Sequence, residues 1–230
     1  MFAERLKSVE EEIRRACEKA DRKREEVTLI AVSKTNPAEA VREAIEAGQL
    51  DFGENKAQEM VAKKAVCPDS ARWHFIGNLQ KNKVKYVVGN AVMIHSVSSI
   101  PLAAEIERIA AKKGLTVSVL AEVNIADEAT KHGIGREEAV ELVKAMGEMP
   151  HLHVEGLMCI APPVEDPEEN RPYFAAMRQL LNEINAMGLP GVQLHELSMG
   201  MSGDYAVAVE EGATFVRVGT ALFGARNYPV

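Results

Sequence analysis

The sequence of 230 residues has few of the features that mark several large classes of protein. Its three cysteines, Cys17, Cys67 and Cys159, have no paired spacing, which indicates a reducing compartment and no disulfide framework. The residues that bind metals are not clustered at ligand spacing along the chain. No apolar run approaches the ~20 residues of a membrane span, and the charged, amphipathic amino terminus does not resemble a secretory signal. We therefore expect a cytoplasmic protein without a metal and without a membrane segment.

The sequence also lacks an excess of basic residues. The net charge is −7, whereas a general nucleic-acid surface needs a basic footprint. We expect no nucleic-acid partner, although a small local basic pocket stays possible. Hydrophobic residues make up 47% and charged residues 27% of the chain, which is ordinary for a globular protein. Since no low-complexity segment or flexible linker divides the chain, we expect one domain over residues 1–230.

Strand-like and helix-like segments alternate along most of the chain. One amphipathic helix is predicted over residues 2–20, outside the repeat. The predicted strands are 27–33, 50–53, 72–76, 91–97, 116–124, 151–158, 193–197 and 213–218. The predicted helices are 37–47, 54–66, 80–87, 99–113, 136–147, 167–187 and 202–211. Four glycines follow helical segments, where a left-handed residue often ends a helix: Gly48, Gly114, Gly188 and Gly212.

This alternation implies a parallel sheet with crossover helices, in the α/β class. Eight strands can close into a (β/α)8 TIM barrel, which would be compact at about 25 residues per unit. The alternative is an open doubly wound sheet. The unequal helices and the lack of a GxGxxG motif after the first strand count against it.

The stretch VTLIAVSKTNP, residues 27–37, contains the most informative single residue, Lys34. A buried strand leads directly to it, and Asn36 and Pro37 predict a helix start, with Asn36 as the N-cap. Parallel α/β folds place their chemistry at the carboxyl ends of strands. A partly desolvated lysine there is a candidate nucleophile. The structural alternative is a lysine that reaches from the strand end to solvent.

Polar residues follow several other predicted strands. They are Asn55 after the second, His74 and Asn78 around the third, His95 and Ser96 after the fourth, and Asn124, Glu128, Lys131 and His132 after the fifth. Each also has a structural explanation, such as a helix cap for Asn78 or a buried strand histidine for His74. The series Lys81, Lys83 and Lys85 fits a solvated helix face.

The last two strands end in loops suited to a phosphate. The seventh strand leads into Ser198–Tyr205, which is rich in hydroxyls and glycines, and the eighth leads from Arg217 into Gly219 and Thr220. Phosphate in (β/α)8 barrels is typically held by these two loops. A strand-end lysine, a phosphate site and an arginine suit pyridoxal 5′-phosphate (PLP), whose pyridine nitrogen takes an Asp or Arg partner.

Motifs at most strand ends support this interpretation. They are LIAVSKTNPAEAV, FGENKAQE, WHFIGNLQKNKVK, HSV, GLMCIAP and LSMGMSGDYAVAVEEGATFVRVGTALFG. Over nearly the whole chain, in order, they resemble the pyridoxal phosphate homeostasis protein family, which is similar to the N-terminal barrel of alanine racemase. Cys159 and Asn78 depart from the family pattern, but neither carries a role assigned here.

The resemblance implies roles for seven residues. Lys34 would form the Schiff base with PLP, and Arg217 would face the ring nitrogen. The residues around the phosphate would be Ser198, Gly219 and Thr220, and those lining the pocket would be Asn55 and Met199.

The leading hypothesis is a monomeric PLP-binding protein that serves intracellular homeostasis of PLP and of amino and keto acids, without established turnover. Amino acids would exchange with the lysine by transimination, and PLP-dependent apo-enzymes would be recipients of the cofactor. We expect no second domain to supply the second base of a racemase, and the nearest tyrosines are Tyr205, expected to pack in a helix, and Tyr228. The alternatives are a small PLP-dependent amino-acid racemase or lyase, and a cofactor-free sugar-phosphate isomerase.

Overall fold

The eight strands form one closed parallel barrel in chain order. The computed structural model describes residues 1–126 and 133–224. The strands are β1 (Thr28–Val32), β2 (Asp51–Glu54), β3 (Arg72–Phe75), β4 (Met93–Val97), β5 (Val117–Val123), β6 (Leu152–Cys159), β7 (Glu196–Ser198) and β8 (Phe215–Val218). Each strand pairs with the next, and β8 closes the barrel on β1 with Arg217 opposite Ile30. The (β/α)8 prediction is confirmed.

The helices surround this barrel. They are α1 (Phe2–Lys19), α2 (Ala38–Glu46), α3 (Ala57–Lys64), α4 (Val84–Val87), α5 (Ile100–Lys113), α6 (Arg136–Gly147), α7 (Arg171–Ala186), α8 (Tyr205–Glu210) and α9 (Thr220–Phe223). The extra helix α1 buries one apolar face and contacts α8 and α9, with the rings of Phe2 and Phe223 5.1 Å apart. No helix within the described ranges is long and apolar enough to cross a bilayer.

Two kinds of core result from the closed sheet. The larger core lies between strands and helices, and all three cysteines are buried in it without forming disulfides. The smaller core is a separate apolar cluster of strand residues: Ile30, Met93, Leu120, Met158 and Phe215. Eight polar residues of the strands are also buried: Asp51, Glu54, His74, His95, Ser96, Glu122, Ser198 and Arg217.

Several predicted boundaries are wrong for local reasons. The N-cap of α2 is Pro37, not Asn36, because residues 33–36 form a tight turn closed by the Asn36 N–H on the Ser33 carbonyl. Helix α8 begins at Tyr205 instead of residue 202, since Asp204 accepts a hydrogen bond from the Met201 N–H and closes another turn. The segment 80–87 is split into a 3-10 turn and α4, and the four-residue helix α9 was not predicted.

The four glycines expected after helices all have positive φ, as predicted. They are Gly48, Gly114, Gly188 and Gly212.

Candidate functional site

A cavity of about 310 Å³ lies at the carboxyl ends of the strands. Its lining comes from the last residues of β1 and β8 and from the segments after β1, β2, β3, β6, β7 and β8: Val32, Lys34, Asn55, Ile76, Ile160, Met201, Ser202, Gly203, Arg217, Gly219 and Thr220. This volume is at the lower end of the range for small-molecule sites. A larger cavity of about 420 Å³ lies between α5 and α6, but its lining is mainly apolar with three glutamates and includes none of the predicted site residues. The chemistry therefore favours the barrel mouth.

The turn that carries Lys34 directly follows β1, and the lysine is half-buried there. Thr35, the next residue, adopts φ 67°, a left-handed conformation that is unusual for a non-glycine residue. Its N–H donates to Glu59 Oε1 at 2.7 Å. This contact with α3 fixes one side of the turn.

Lys63 fixes the other side of the turn that carries Lys34, at Ser33. Its Nζ donates to the Ser33 carbonyl at 2.7 Å, to Glu54 Oε1 at 2.6 Å and to Glu59 Oε1 at 2.7 Å. Ser33 Oγ also donates to Glu54 Oε1 at 2.6 Å. The residues before and after Lys34 are thus tied to one buried group, which we call the Lys63 clamp: Ser33, Glu54, Glu59 and Lys63.

The clamp is a buried charge network. Lys63 is 6% exposed and Glu54 is fully buried. Burial raises the pKa of Glu54 above its ordinary value, even though Lys63 and Ser33 lower it. Sequence reasoning missed Lys63, because a lysine pair on a helix is typical of a solvated face. The available signal was the spacing of four residues between Glu59 and Lys63, which allows an ion pair along one helix.

Arg217 projects from β8 into the base of the cavity and is 4% exposed. Its Nη1 donates to Ser198 Oγ at 2.6 Å, and its Nη2 donates to the Cys159 carbonyl at 2.7 Å. Burial lowers the pKa of the guanidinium from its ordinary value. A guanidinium nevertheless keeps its charge in proteins. Two bonds from different nitrogens hold its plane in one orientation.

The hydroxyl below Arg217 continues into a chain of buried side chains. Ser198 Oγ lies 2.8 Å from His95 Nδ1, and His95 Nε2 lies 3.0 Å from His74 Nδ1. His74 Nε2 lies 3.1 Å from Asp51 Oδ1, which also accepts from Arg72 Nε at 2.7 Å. We call Asp51, His74, His95 and Ser198 the interior chain. The sequence analysis named both histidines as polar residues near strand ends but did not predict the hydrogen bond between them.

The pKa values of His95 and Asp51 are both lowered, but for different reasons. Burial lowers the pKa of His95 well below its ordinary value, and the neighbouring His74 and Arg217 lower it further. Burial alone would raise the pKa of Asp51, but hydrogen bonds from His74 and Arg72 outweigh it and lower the pKa. The chain therefore ends in a carboxylate and contains a neutral His95 at pH 7.

The loops after β7 and β8 are joined through Ser202. Its Oγ accepts from the N–H of Gly219 at 3.1 Å and of Ala221 at 3.5 Å. Asp204 shapes the first loop, since its Oδ1 accepts from the Met201 N–H at 2.6 Å. Gly200 allows this loop to approach α8, because an added Cβ there would lie 2.6 Å from the Ala208 Cβ. Hydroxyls and backbone N–H groups are thus gathered at one side of the cavity.

The structure brings five of the seven predicted site residues to the cavity: Lys34, Asn55, Arg217, Gly219 and Thr220. Ser198 and Met199 are fully buried outside the lining, so their expected places at a ligand are predictions that the geometry does not support. The sequence placed Ser202 and Gly203 in the predicted phosphate loop but did not single them out as residues that line the cavity. The signal for Ser202 was a second serine in the same loop, four residues beyond Ser198.

Asn55 supplies the observation that most suggests a ligand. Its Oδ1 is buried and has no hydrogen-bond partner among the described residues. Leaving a buried amide oxygen unpaired costs about 1–3 kcal/mol, so such atoms usually have a partner. A polar ligand in the cavity would satisfy this oxygen.

Other sequence candidates lie elsewhere. Tyr205 packs in α8, as expected, and its hydroxyl donates to Glu12 Oε2 at 2.5 Å. Four others fall outside the described residues: Glu128, Lys131, His132 and Tyr228. On the outside of the cavity, ligand atoms of Glu155, His195 and Glu196 lie within 4.8 Å of one another, a grouping that sequence spacing did not reveal.

Comparison with known proteins agrees with the barrel and the motifs. The family described as "Alanine racemase, N-terminal domain" matches residues 5–227. The "Pyridoxal phosphate homeostasis protein" of Aquifex aeolicus is 46% identical over 226 residues, covering 98% of this chain and 98% of that protein. The protein of the same name from Pseudomonas aeruginosa is 41% identical over 228 residues, covering 99% of this chain and 96% of that one.

A solved structure gives the corresponding similarity in three dimensions. PipY of Synechococcus elongatus, determined with PLP bound, superposes with a TM-score of 0.85 at 39% identity. The match covers 97% of this chain and 100% of PipY.

Proposed function

Because the chain belongs to the pyridoxal phosphate homeostasis protein family, whose barrel is that of the alanine racemase N-terminal domain, we propose that it binds PLP in the barrel-mouth cavity. One observation carries this proposal. Lys34, Arg217 and the two loops that contain Ser202 and Gly219 line the same cavity of about 310 Å³. PLP supplies an electrophilic aldehyde and an electron-withdrawing ring. Lys34 is the residue that would hold the aldehyde as a Schiff base.

The loops after β7 and β8 would bind the phosphate. Gly219, Thr220, Ser202 and Gly203 line that side of the cavity. Backbone N–H groups and hydroxyls in such loops donate to phosphate oxygens, and these are the loops that hold phosphate in many barrels. The net charge of −7 does not oppose this, because the donors are local.

Arg217 and Asn55 would bind the ring. Arg217 keeps further N–H groups beyond the two that bind Ser198 and Cys159. It can donate to the pyridine nitrogen but cannot leave a proton there, so the ring stays a weak electron sink. Asn55 would pair its orphaned amide oxygen with a polar group of the ligand.

A role in PLP homeostasis, without rapid chemistry at an amino-acid Cα, fits this lining better than a racemase or lyase. Racemisation needs a base on each face of Cα. Among the described residues of the lining, Lys34 is the one side chain that can act as such a base, and Tyr205 is bonded to Glu12 outside it. The proposal has four further parts. Amino acids would exchange with the lysine, and PLP would be transferred to apo-enzymes. The protein would be a monomer and would serve the balance of amino and keto acids.

Titration of the purified protein with PLP, followed by visible absorbance, tests this function. The unaltered protein and Lys56→Ala, an exposed lysine beside Asn55, should develop the absorbance of bound PLP. Lys34→Ala should not, although it should keep weak binding through the phosphate loops. Equal absorbance in Lys34→Ala would reject the site, and no PLP binding by the unaltered protein would favour the sugar-phosphate isomerase.

A further inference from the structure

The hydrogen atoms of the interior chain can be assigned from its two ends. Asp51 is a carboxylate that already accepts from Arg72, so it can only accept from His74 Nε2, which must carry the hydrogen. At the other end, the guanidinium of Arg217 can only donate to Ser198 Oγ, so the hydroxyl hydrogen has its acceptor at His95 Nδ1 and the one N–H of a neutral His95 lies at Nε2, directed at His74 Nδ1. His95, kept neutral by its burial, accepts at Nδ1.

In this assignment the Ser198 hydroxyl makes both of its hydrogen bonds within the protein. Its hydrogen points to His95 Nδ1 at 2.8 Å, and a lone pair receives the Arg217 Nη1–H at 2.6 Å. A hydroxyl has one hydrogen, so Ser198 has none left to donate to a phosphate. Its full burial outside the cavity lining agrees with this.

We propose that the interior chain is a positioning device, in which Asp51, His74 and His95 orient Ser198 as an acceptor that holds Arg217 toward the ring of the bound cofactor. This inference rests on the proposed function and assigns Ser198 to the ring end of the site. Ser202 then belongs to the phosphate end, because its hydroxyl lines the cavity and joins the two loops.

The charge pattern supports this direction. The chain ends at Asp51, where Arg72 and His74 favour the ionised carboxylate. Each donor in the chain therefore points toward the Asp51 carboxylate. Hydrogen bonds that all point in one direction polarise one another. Ser198 Oγ therefore becomes a stronger acceptor for the N–H of Arg217.

A comparison of two serine variants with two ligands tests the proposal. PLP and pyridoxal, which lacks the phosphate, are titrated against the unaltered protein, Ser198→Ala and Ser202→Ala. Ser198→Ala should weaken both ligands by the same factor, at least about fivefold, because a hydrogen bond to a charged group is lost. Ser202→Ala should weaken PLP roughly tenfold and pyridoxal little.

A second readout separates positioning from simple destabilisation. The absorbance maximum of bound PLP reports the hydrogen bond at the ring nitrogen, and it should shift in Ser198→Ala but not in Ser202→Ala. His95→Leu should repeat the shift, whereas His95→Asn, whose amide oxygen can accept from Ser198, should restore the original maximum. If Ser198→Ala does not fold, the two His95 variants provide the same comparison.

The outcomes distinguish this inference from the proposed function. A selective loss of PLP over pyridoxal in Ser198→Ala would place Ser198 at the phosphate and overturn the inference, and so would an unchanged affinity and spectrum. Failure of the unaltered protein to bind PLP at all would instead reject the proposed function.

Discussion

Replacement of Lys63 by methionine tests whether the Lys63 clamp holds the turn of Lys34. The variant removes three hydrogen bonds from Nζ and leaves Glu54, which is fully buried, without its cation. Breaking a buried ion pair in this way costs about 3–5 kcal/mol. The contact with Glu59 adds little, since that side chain is 23% exposed and screened by water.

The assay is urea unfolding with a matched control in the same helix. Lys64→Met removes one hydrogen bond, from Nζ to the Asn90 carbonyl at 3.0 Å, and should cost about 1 kcal/mol. Adding Glu54→Gln to Lys63→Met should recover part of the loss, because the uncompensated charge is gone. PLP affinity should fall in Lys63→Met and remain unchanged in Lys64→Met.

The destabilisation should also depend on pH. The pKa of Glu54 is raised in the folded protein, so its contribution is most favourable below the unfolded value of about 4.3 and is lost as pH rises through the folded pKa. Without Lys63 the pKa rises further. The free-energy gap between Lys63→Met and the unaltered protein should therefore be larger at about pH 8 than at about pH 5. A cost no greater than that of Lys64→Met, with no pH dependence, would refute the clamp.

Two further predictions concern the ligand. Thr220→Ala should weaken PLP roughly tenfold while affecting pyridoxal much less, because a charge-assisted bond to phosphate is worth about 1.5–3 kcal/mol; equal losses in a titration of both would remove Thr220 from the phosphate site. The unaltered protein should not exchange the Cα hydrogen of alanine in deuterated water at an enzyme-like ~1–10³ s⁻¹, whereas Arg217→Glu should allow slow exchange or transamination by permitting a protonated ring nitrogen. Rapid exchange by the unaltered protein, followed by NMR, would restore the racemase or lyase hypothesis.

The sequence predicts most of the barrel because its strands are short apolar runs separated by helical periodicity. It also places Lys34 at a carboxyl end, since the run from Val27 stops there. The sequence does not predict which serine at the end of β7 or in the loop after it reaches the cavity. Ser198 and Ser202 are both hydroxyls in one loop, and which one reaches the cavity depends on where the strand ends and where the chain turns.

The supporting contacts could not be predicted for a different reason. Lys63 contacts Ser33 across 30 positions of sequence, and His95 contacts Ser198 across 103. Such pairs depend on barrel closure and on the depth of each side chain, which periodicity does not encode. A buried lysine and an exposed lysine on a helix have the same local pattern.

Borohydride reduction of the protein loaded with PLP, followed by digestion and mass spectrometry, tests the central claim most directly. Reduction makes the bond between lysine and cofactor permanent, so the modified residue can be identified. We predict one pyridoxyl group, on the peptide that contains Lys34. A pyridoxyl group mainly on another lysine, or a protein that binds PLP without any reducible bond, would contradict the account.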